Sequence, residues 1–324
     1  MDKNTKLDKF TKYAWFVLAF NIAVILWGAF LRASLSGDGC GQHWLTCNGE
    51  VVPESPQFKT VIEFTHRVST GIVFFIVLAL AVWAFRKYSK GAPARKTALV
   101  SFLLIIAEAA IGAGLVLTGN TAGNLTASRP FWMMAHLITT FSLLAALSLT
   151  AWYSGGGRKF RSRVDSKAFL LLSIAVLGIF LVGASGSLAA LSGMLFPAGS
   201  LAEGLAQDFA GTSHLLLRLR LSHPIVAVMT GVYLIFIAGW LRARAADSTG
   251  VKRWSNVLSI LVMVQFASGA ATLLMLSPIV MQLIHLLLAD LVWIGFVLLT
   301  AAFLAEKTGE RFDENGRNTE NPAV

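Results

Sequence analysis

Charge is what this chain has least of. Asp, Glu, Lys and Arg supply 14% of its 324 residues, against about 25% in an average soluble domain. With 56% of residues apolar, that shortage excludes an ordinary soluble protein and makes membrane spans the useful unit to count. Cysteine is also scarce. Cys40 and Cys47 are the only two, and their spacing fits neither a zinc ribbon nor a Cys-x-x-Cys redox motif. Acidic residues number 17 against 27 basic ones, a net charge of +10. Such a balance would by itself suit nucleic acid, so its distribution along the chain matters.

Apolar runs long enough for a bilayer core of about 30 Å occur eight times, at 13–32, 64–85, 97–118, 131–153, 168–190, 222–241, 254–276 and 279–304. The first follows Lys3, Lys6, Lys9 and Lys12 but has no small-residue cleavage site, so it reads as a retained helix. Among the 27 basic residues, Arg32, Lys59, Arg67, Arg129, Arg218 and Arg220 fall on one side of the eight spans. All others fall on the opposite side, which is therefore cytoplasmic and holds both termini. The positive charge reports topology and a lipid bilayer, with no nucleic acid implied. Without transit-peptide character at the N-terminus, a bacterial plasma membrane is the simplest location.

The two halves match. Glu108 in IAEAAIGAG falls on Gln265 in MVQFASGAA, and Gly112 on Gly269. His66 in THRVSTGIVFF falls on His223 in SHPIVAVMTGV, and His136 after Pro130 falls on His285 after Pro278. Each half has four spans, an even number, so the repeat is parallel. The expected fold is an all-α integral membrane protein of eight transmembrane helices, arranged as two pseudo-symmetric four-helix bundles. Its divisions are a first bundle over 1–153, a cytoplasmic linker over 154–167, a second bundle over 168–304 and a disordered cytoplasmic tail over 305–324. Two longer outer loops, 33–62 and 191–221, interrupt the pattern.

Four histidines carry the chemistry. His66, His136, His223 and His285 lie in spans 2, 4, 6 and 8, near their outer ends. A lone intramembrane histidine is commonly a packing residue, but four at matching repeat positions point to two paired sites. Facing imidazoles on different helices suit a haem iron, and bundles build cofactor sites from facing side chains. No Cys-x-x-Cys-His is present, so such a haem is not attached as a c-type. Zinc is disfavoured because no further carboxylate or thiolate accompanies each pair.

Taken together, GAFLR–SG closing span 1, Cys40 and Cys47 in the first outer loop, EFTHR (63–67) opening span 2 and RLRLSHP (218–224) opening span 6 resemble the haem A synthase family. The resemblance covers about 13–304. It departs from the family at GQHWLT (41–46), where a Pro-Asp-Trp-Pro-like run is usual. The resemblance implies a membrane oxidoreductase that converts haem O to haem A, oxidising a ring methyl group to a formyl group by successive hydroxylations. It implies haem b on His223 and His285, substrate haem O between His66 and His136, and Glu63 as the essential acid. A haem O-producing farnesyltransferase is compatible with it as a partner. The electron acceptor and any homo-oligomeric state stay open.

The residues themselves make the halves unequal. Glu63 stands one helical turn before His66, where i and i+3 share a face, while its counterpart in RLSHP is Arg220. A carboxylate suits a reaction in which a proton leaves, and arginines suit haem propionates. Arg32, Arg67, Arg129, Arg218 and Arg220 are the candidate propionate contacts, with interfacial snorkelling as the plainer alternative. Cys40 and Cys47, in an oxidising compartment, are expected to form a disulfide; a plain staple of the loop is favoured, with a stiffened lid over the reactive site or a relay of reducing equivalents left open. Glu108 and Asp290 are intramembrane acids. Glu108 is expected in a hydrogen-bonding role and Asp290 is given none. A di-haem cytochrome b that carries electrons without altering haem is the rival reading. It would need no acid beside one of its haems.

Overall fold

The computed structural model describes residues 8–124, 126–160, 165–211 and 214–306. The tail expected over 305–324 lies outside these residues from 307 onward, as do Lys3, Lys6, Arg161 and Arg163. Among the described residues the secondary structure is helical, with one isolated bridge between Cys47 and Glu50. The helices are α1 (Lys9–Ala33), α2 (Phe58–Lys87), α3 (Pro93–Leu117), α4 (Arg129–Ser154), α5 (Ser166–Leu195), α6 (Leu201–Phe209), α7 (Leu215–Arg220), α8 (Ser222–Arg244), α9 (Thr249–Leu274) and α10 (Ile279–Leu304). Local chemistry marks their ends. Proline occupies the first turn of α3 and α4, where its missing N–H costs nothing. The Ser248 hydroxyl accepts from the backbone N–H of Val251 at the start of α9.

Eight helices are long and apolar enough to cross a bilayer, counting α7 and α8 as one span over Leu215–Arg244. The chain is thus a multi-pass helical membrane protein. Two spans begin earlier than hydropathy places them. α2 starts at Phe58 rather than 64, and the sixth span at Leu215 rather than 222. Hydropathy sees only the part of a helix immersed in hydrocarbon, whereas a helix continues through the interface where Lys59, Thr60 and Glu63 are tolerated. In consequence His66 does not open α2, while His223 stands second in α8 with the short α7 ahead of it in the same span. His66 sits about 12 Å inside α2 at 1.5 Å per residue. The second outer loop is also not irregular throughout, since α6 and α7 occupy much of it.

In the first half, α1 packs on α2, α2 on α3, α3 on α4 and α4 back on α1, closing a ring of four. In the second half α5 packs on α8, α8 on α9 and α9 on α10. At the helix ends Lys87 pairs with Asp8 and Arg244 with Asp165 (2.6 Å). The halves are not isolated. α4 packs on both α5 and α10, and α1 also touches α10. One buried apolar cluster runs through both halves, including Leu80, Leu144, Ile179, Leu258 and Leu298. At the junction the Phe141 ring stacks on Trp293 with centres 5.7 Å apart, and Phe180 meets both edge-on. The Trp293 indole N–H donates to the Phe141 carbonyl at 2.7 Å. In an apolar interior, such a bond to a carbonyl already used within its helix fixes how α10 seats against α4.

Replacing Phe141 by Ala should lower the apparent melting temperature in detergent by several degrees, because truncating a buried Phe costs about 3–5 kcal/mol. Trp293→Phe, which keeps the ring contact but removes the donor, should cost about 1 kcal/mol and shift melting less. A thermal-unfolding series of both variants checks the order.

Candidate functional site

His223 on α8 and His285 on α10 meet across the second half. Their ring centres are 6.3 Å apart and their planes nearly perpendicular, at 89°. A metal bound to one nitrogen of each ring at roughly 2 Å would hold ring centres about 6 Å apart, a separation close to the one these rings show. The Nδ1 edges are engaged elsewhere. The Ser185 hydroxyl lies 3.2 Å from His223 Nδ1, and the Ser268 hydroxyl 3.4 Å from His285 Nδ1. A hydroxyl that accepts Nδ1–H leaves the lone pair on Nε2, the tautomer a metal needs. Gln265 reaches the same ring, its amide 3.4 Å from His285 Nε2 while donating to the His285 carbonyl at 3.2 Å.

His66 on α2 and His136 on α4 belong to opposite members of the first ring and lie within electrostatic reach of each other. This pair is less well satisfied. The Nδ1 atoms of both are buried without a hydrogen-bond partner among the described residues. Buried polar atoms are seldom left so, and an orphaned one calls for a group that completes it. Beside His136 stands Glu108, whose Oε1 is 3.4 Å from Nδ1. The Thr139 and Thr140 hydroxyls donate to the two oxygens of that carboxylate. Among the described residues no three metal-ligating side chains converge, so two imidazoles are what each pair offers a metal.

Two glycines let the histidines sit close to neighbouring helices. A Cβ on Gly28 of α1 would stand 2.8 Å from His66 Cε1, and one on Gly186 of α5 would stand 2.9 Å from His223 Cε1. Either would push the ring aside. Sequence comparison of the halves places GAFLR against GASGS without singling out Gly186. Only the contact distance does.

Cys40 and Cys47 are joined in a disulfide and are buried. The loop they close lies on the first turns of α2. Glu63, only 3% exposed, accepts the Cys40 N–H at 2.8 Å through Oε2 and the Arg67 guanidinium through Oε1. Arg67 donates onward to the carbonyls of His43 and Thr46, and Thr60 donates to the Gly39 carbonyl. Glu63 therefore holds the disulfide loop as well as standing a turn from His66.

The five arginines separate into two kinds. Arg67 is committed to Glu63 and the loop. Arg220 pairs with Asp208 of α6 at 2.7 Å and donates to the Gly204 carbonyl, and Arg218 donates to the Gly211 carbonyl. Arg129, by contrast, is 3% exposed with its Nε unpartnered and donates to the Asn124 carbonyl. Arg32 lies within electrostatic reach of it, and no carboxylate among the described residues pairs with either. Two guanidinium groups without a counter-anion form an anion-accepting corner. Asp290 is fully buried in α10, with neither oxygen hydrogen-bonded among the described residues. Reading the sequence missed Asp208 as a partner of Arg220 and the serines on Nδ1. Neither has a motif, and the only advance signal was the match of Glu108 with Gln265.

The class is now defined: a polytopic helical membrane protein with an imidazole pair in each half and a disulfide loop docked on the helix that carries His66. The model of the cytochrome oxidase assembly protein family COX15-CtaA matches residues 11–297. The chain belongs to that family. It is 43% identical over 93% of its length to a Protoheme IX farnesyltransferase of Thermus thermophilus, covering 50% of that protein, and equally so to the counterpart in a second strain of the same organism. The chain thus spans about half the length of those two relatives. It is 26% identical to a Heme A synthase of Alkalihalophilus pseudofirmus, over 84% of this chain and 90% of that one. A Heme A synthase of Shouchella clausii is 27% identical over 84% of this chain and 89% of that one. The resemblance to haem A synthases read from the motifs is borne out.

Glu63→Ala should loosen the disulfide loop from α2. Losing hydrogen bonds to a charged group costs about 1.5–3 kcal/mol, so reduction of Cys40–Cys47 by a membrane-impermeant reductant should speed up at least tenfold. Glu63→Gln should fall between. An unchanged reduction rate in Glu63→Ala would show that the loop is held by other contacts.

Proposed function

We propose that the chain is a haem A synthase of a bacterial plasma membrane, oxidising a ring methyl of haem O to a formyl group by successive hydroxylations. The observation that carries the reading is the His223–His285 pair, with rings 6.3 Å apart and each Nδ1 beside a serine hydroxyl. That donor set suits an iron held on both faces of a planar macrocycle. In this reading the eight spans form two parallel copies of a four-helix unit with both termini cytoplasmic. The correspondence of Glu108 beside His136 with Gln265 beside His285 supports the repeat. The basic residues at the ends remote from the disulfide loop support the orientation.

The halves divide the work. His223 and His285 would hold haem b, which when bound supplies one-electron transfer. Their serine partners keep both rings oriented, so that site changes little on redox cycling. His66 and His136 would receive substrate haem O, their rings held by fewer hydrogen bonds than those of His223 and His285, as suits a site that is filled and emptied. Arg32 and Arg129, close together without a counter-anion, would take the substrate propionates. Arg67, Arg218 and Arg220 are occupied with other partners and would act on the loops that border the sites. Glu63 would assist the oxidation by accepting a proton near His66, while it keeps the disulfide loop closed over that half and water out. Substrate would come from an enzyme that farnesylates haem. The match to half of a farnesyltransferase chain supports a direct handover.

Expressing the chain with a haem O source, extracting the haems and separating them chromatographically tests this. Haem A should accumulate, and His223→Ala or His285→Ala should remove haem b and the product together. Glu63→Ala should leave haem b bound while lowering product at least tenfold. Recovery of haem b and unmodified haem O alone, with an electron acceptor supplied, would refute the synthase reading in favour of an electron-carrying cytochrome b.

A further inference from the structure

The two imidazole pairs differ in what stands behind them, and that difference has an electrochemical meaning. Behind His136 is a carboxylate: Glu108 Oε1, 3.4 Å from Nδ1. Behind His223 and His285 are neutral hydroxyls, Ser185 and Ser268. The neighbour on α9 that matches Glu108 is Gln265, an amide. The carboxylate is also held in place. Thr139 and Thr140, one turn further along α4, donate to its two oxygens, whereas the residues at the same offset from His285 are Leu288 and Ala289. Two threonine donors hold Glu108 as an acceptor, and its Oε1 stands 3.4 Å from His136 Nδ1. An acid, two clamping hydroxyls and a histidine converge in one half, and none of the first three has a counterpart in the other.

We propose that Glu108 is a positioning residue that makes His136 an electron-rich iron ligand, so that the two iron sites differ in midpoint potential and electrons run from the first half to the second. This rests on the haem-binding reading above. A carboxylate that accepts Nδ1–H raises the basicity of the ligating Nε2 and fixes the ring orientation. Stronger donation and a nearby negative charge stabilise ferric over ferrous iron, and a low-dielectric interior enlarges the effect. Hydroxyls at Nδ1 fix the tautomer without that charge, so an iron on His223 and His285 sits at the higher potential. With haem bound at both pairs, an electron given up at the His66–His136 site would be favoured to pass to the site held by His223 and His285, one iron being oxidised as the other is reduced. The chain thus sets a one-way path out of the half where haem O is oxidised.

The test is an optically monitored redox titration of the full chain, purified in detergent with haem b loaded at both sites. Wild type should titrate as two components. Glu108→Gln should raise the lower one, with the ferric-to-ferrous ratio at fixed potential falling at least tenfold, which is 59 mV for one electron. The upper component should not move. Should Glu108→Gln fail to take up haem in the first half, the reciprocal change decides. Ser268→Asp places a carboxylate behind His285 and should lower the upper component by a similar factor. Two bound haems with both components unmoved in Glu108→Gln overturn the proposal, as does an unmoved upper component in Ser268→Asp. A wild-type chain that binds no haem at either pair instead defeats the functional reading on which the proposal stands.

Discussion

A buried neutral imidazole costs free energy for each ring nitrogen left without a partner, and this constraint organises the molecule. One nitrogen can be served by a side chain of the neighbouring helix, as Ser185 serves His223 and Ser268 serves His285. The other can serve a metal only if two rings are brought together from different helices, as His223 and His285 are, with centres 6.3 Å apart. That demands close helix approach, which Gly28 and Gly186 permit by leaving room for the His66 and His223 rings. It also demands a rigid frame. α10 contributes His285 and, two turns further on, the Trp293 that locks onto α4 through Phe141. The element that carries one ligand of the second pair is therefore seated on the helix that carries one ligand of the first.

That shared seat changes how the two halves should be regarded. Taken from the repeat alone, they are two bundles joined by a linker. In the folded chain the aromatic junction of Phe141, Phe180 and Trp293 lies in a core common to both. Function in this family reading requires electrons to pass between halves, and a packed, dry junction holds the distance between two sites constant. The polar periphery plays another part. Glu63, Arg67 and the Cys40–Cys47 loop form one hydrogen-bonded unit near the N-terminal end of α2, and Asp208 with Arg220 ties α6 to α7 in the second half. Each half has an acid–arginine pair at its mouth, although the acid lies on the span in one half and on the loop in the other.

The spans, the four histidines and the family were all legible in the chain, because each depends on local composition or fixed spacing. An apolar run of about 20 residues reads as a span wherever it packs, and EFTHR is recognisable without coordinates. The starts of α2 and of the sixth span were not legible, since a helix that leaves hydrocarbon keeps its hydrogen bonds while its side chains turn polar. Glu63 was placed by its spacing on the face of His66. Its spacing did not reveal that both oxygens are used by Arg67 and Cys40. The propionate candidates looked alike as arginines near an outer surface, and only their partners divided them into committed and uncommitted groups.

The sequence by itself determined that this is an eight-span membrane protein of the cytochrome oxidase assembly family, with a histidine in each of four alternate spans. Hydrophobic length and residue type suffice for that, because the bilayer imposes the same demand on every helix. Tertiary structure alone decided which acid meets which base. Glu108 reaches His136, Glu63 reaches the disulfide loop, Asp208 reaches Arg220, and Asp290 finds no hydrogen-bond partner among the described residues. These pairings depend on small differences in helix rotation and depth. Such differences leave the hydropathy pattern unchanged, yet they decide whether a buried charge is satisfied.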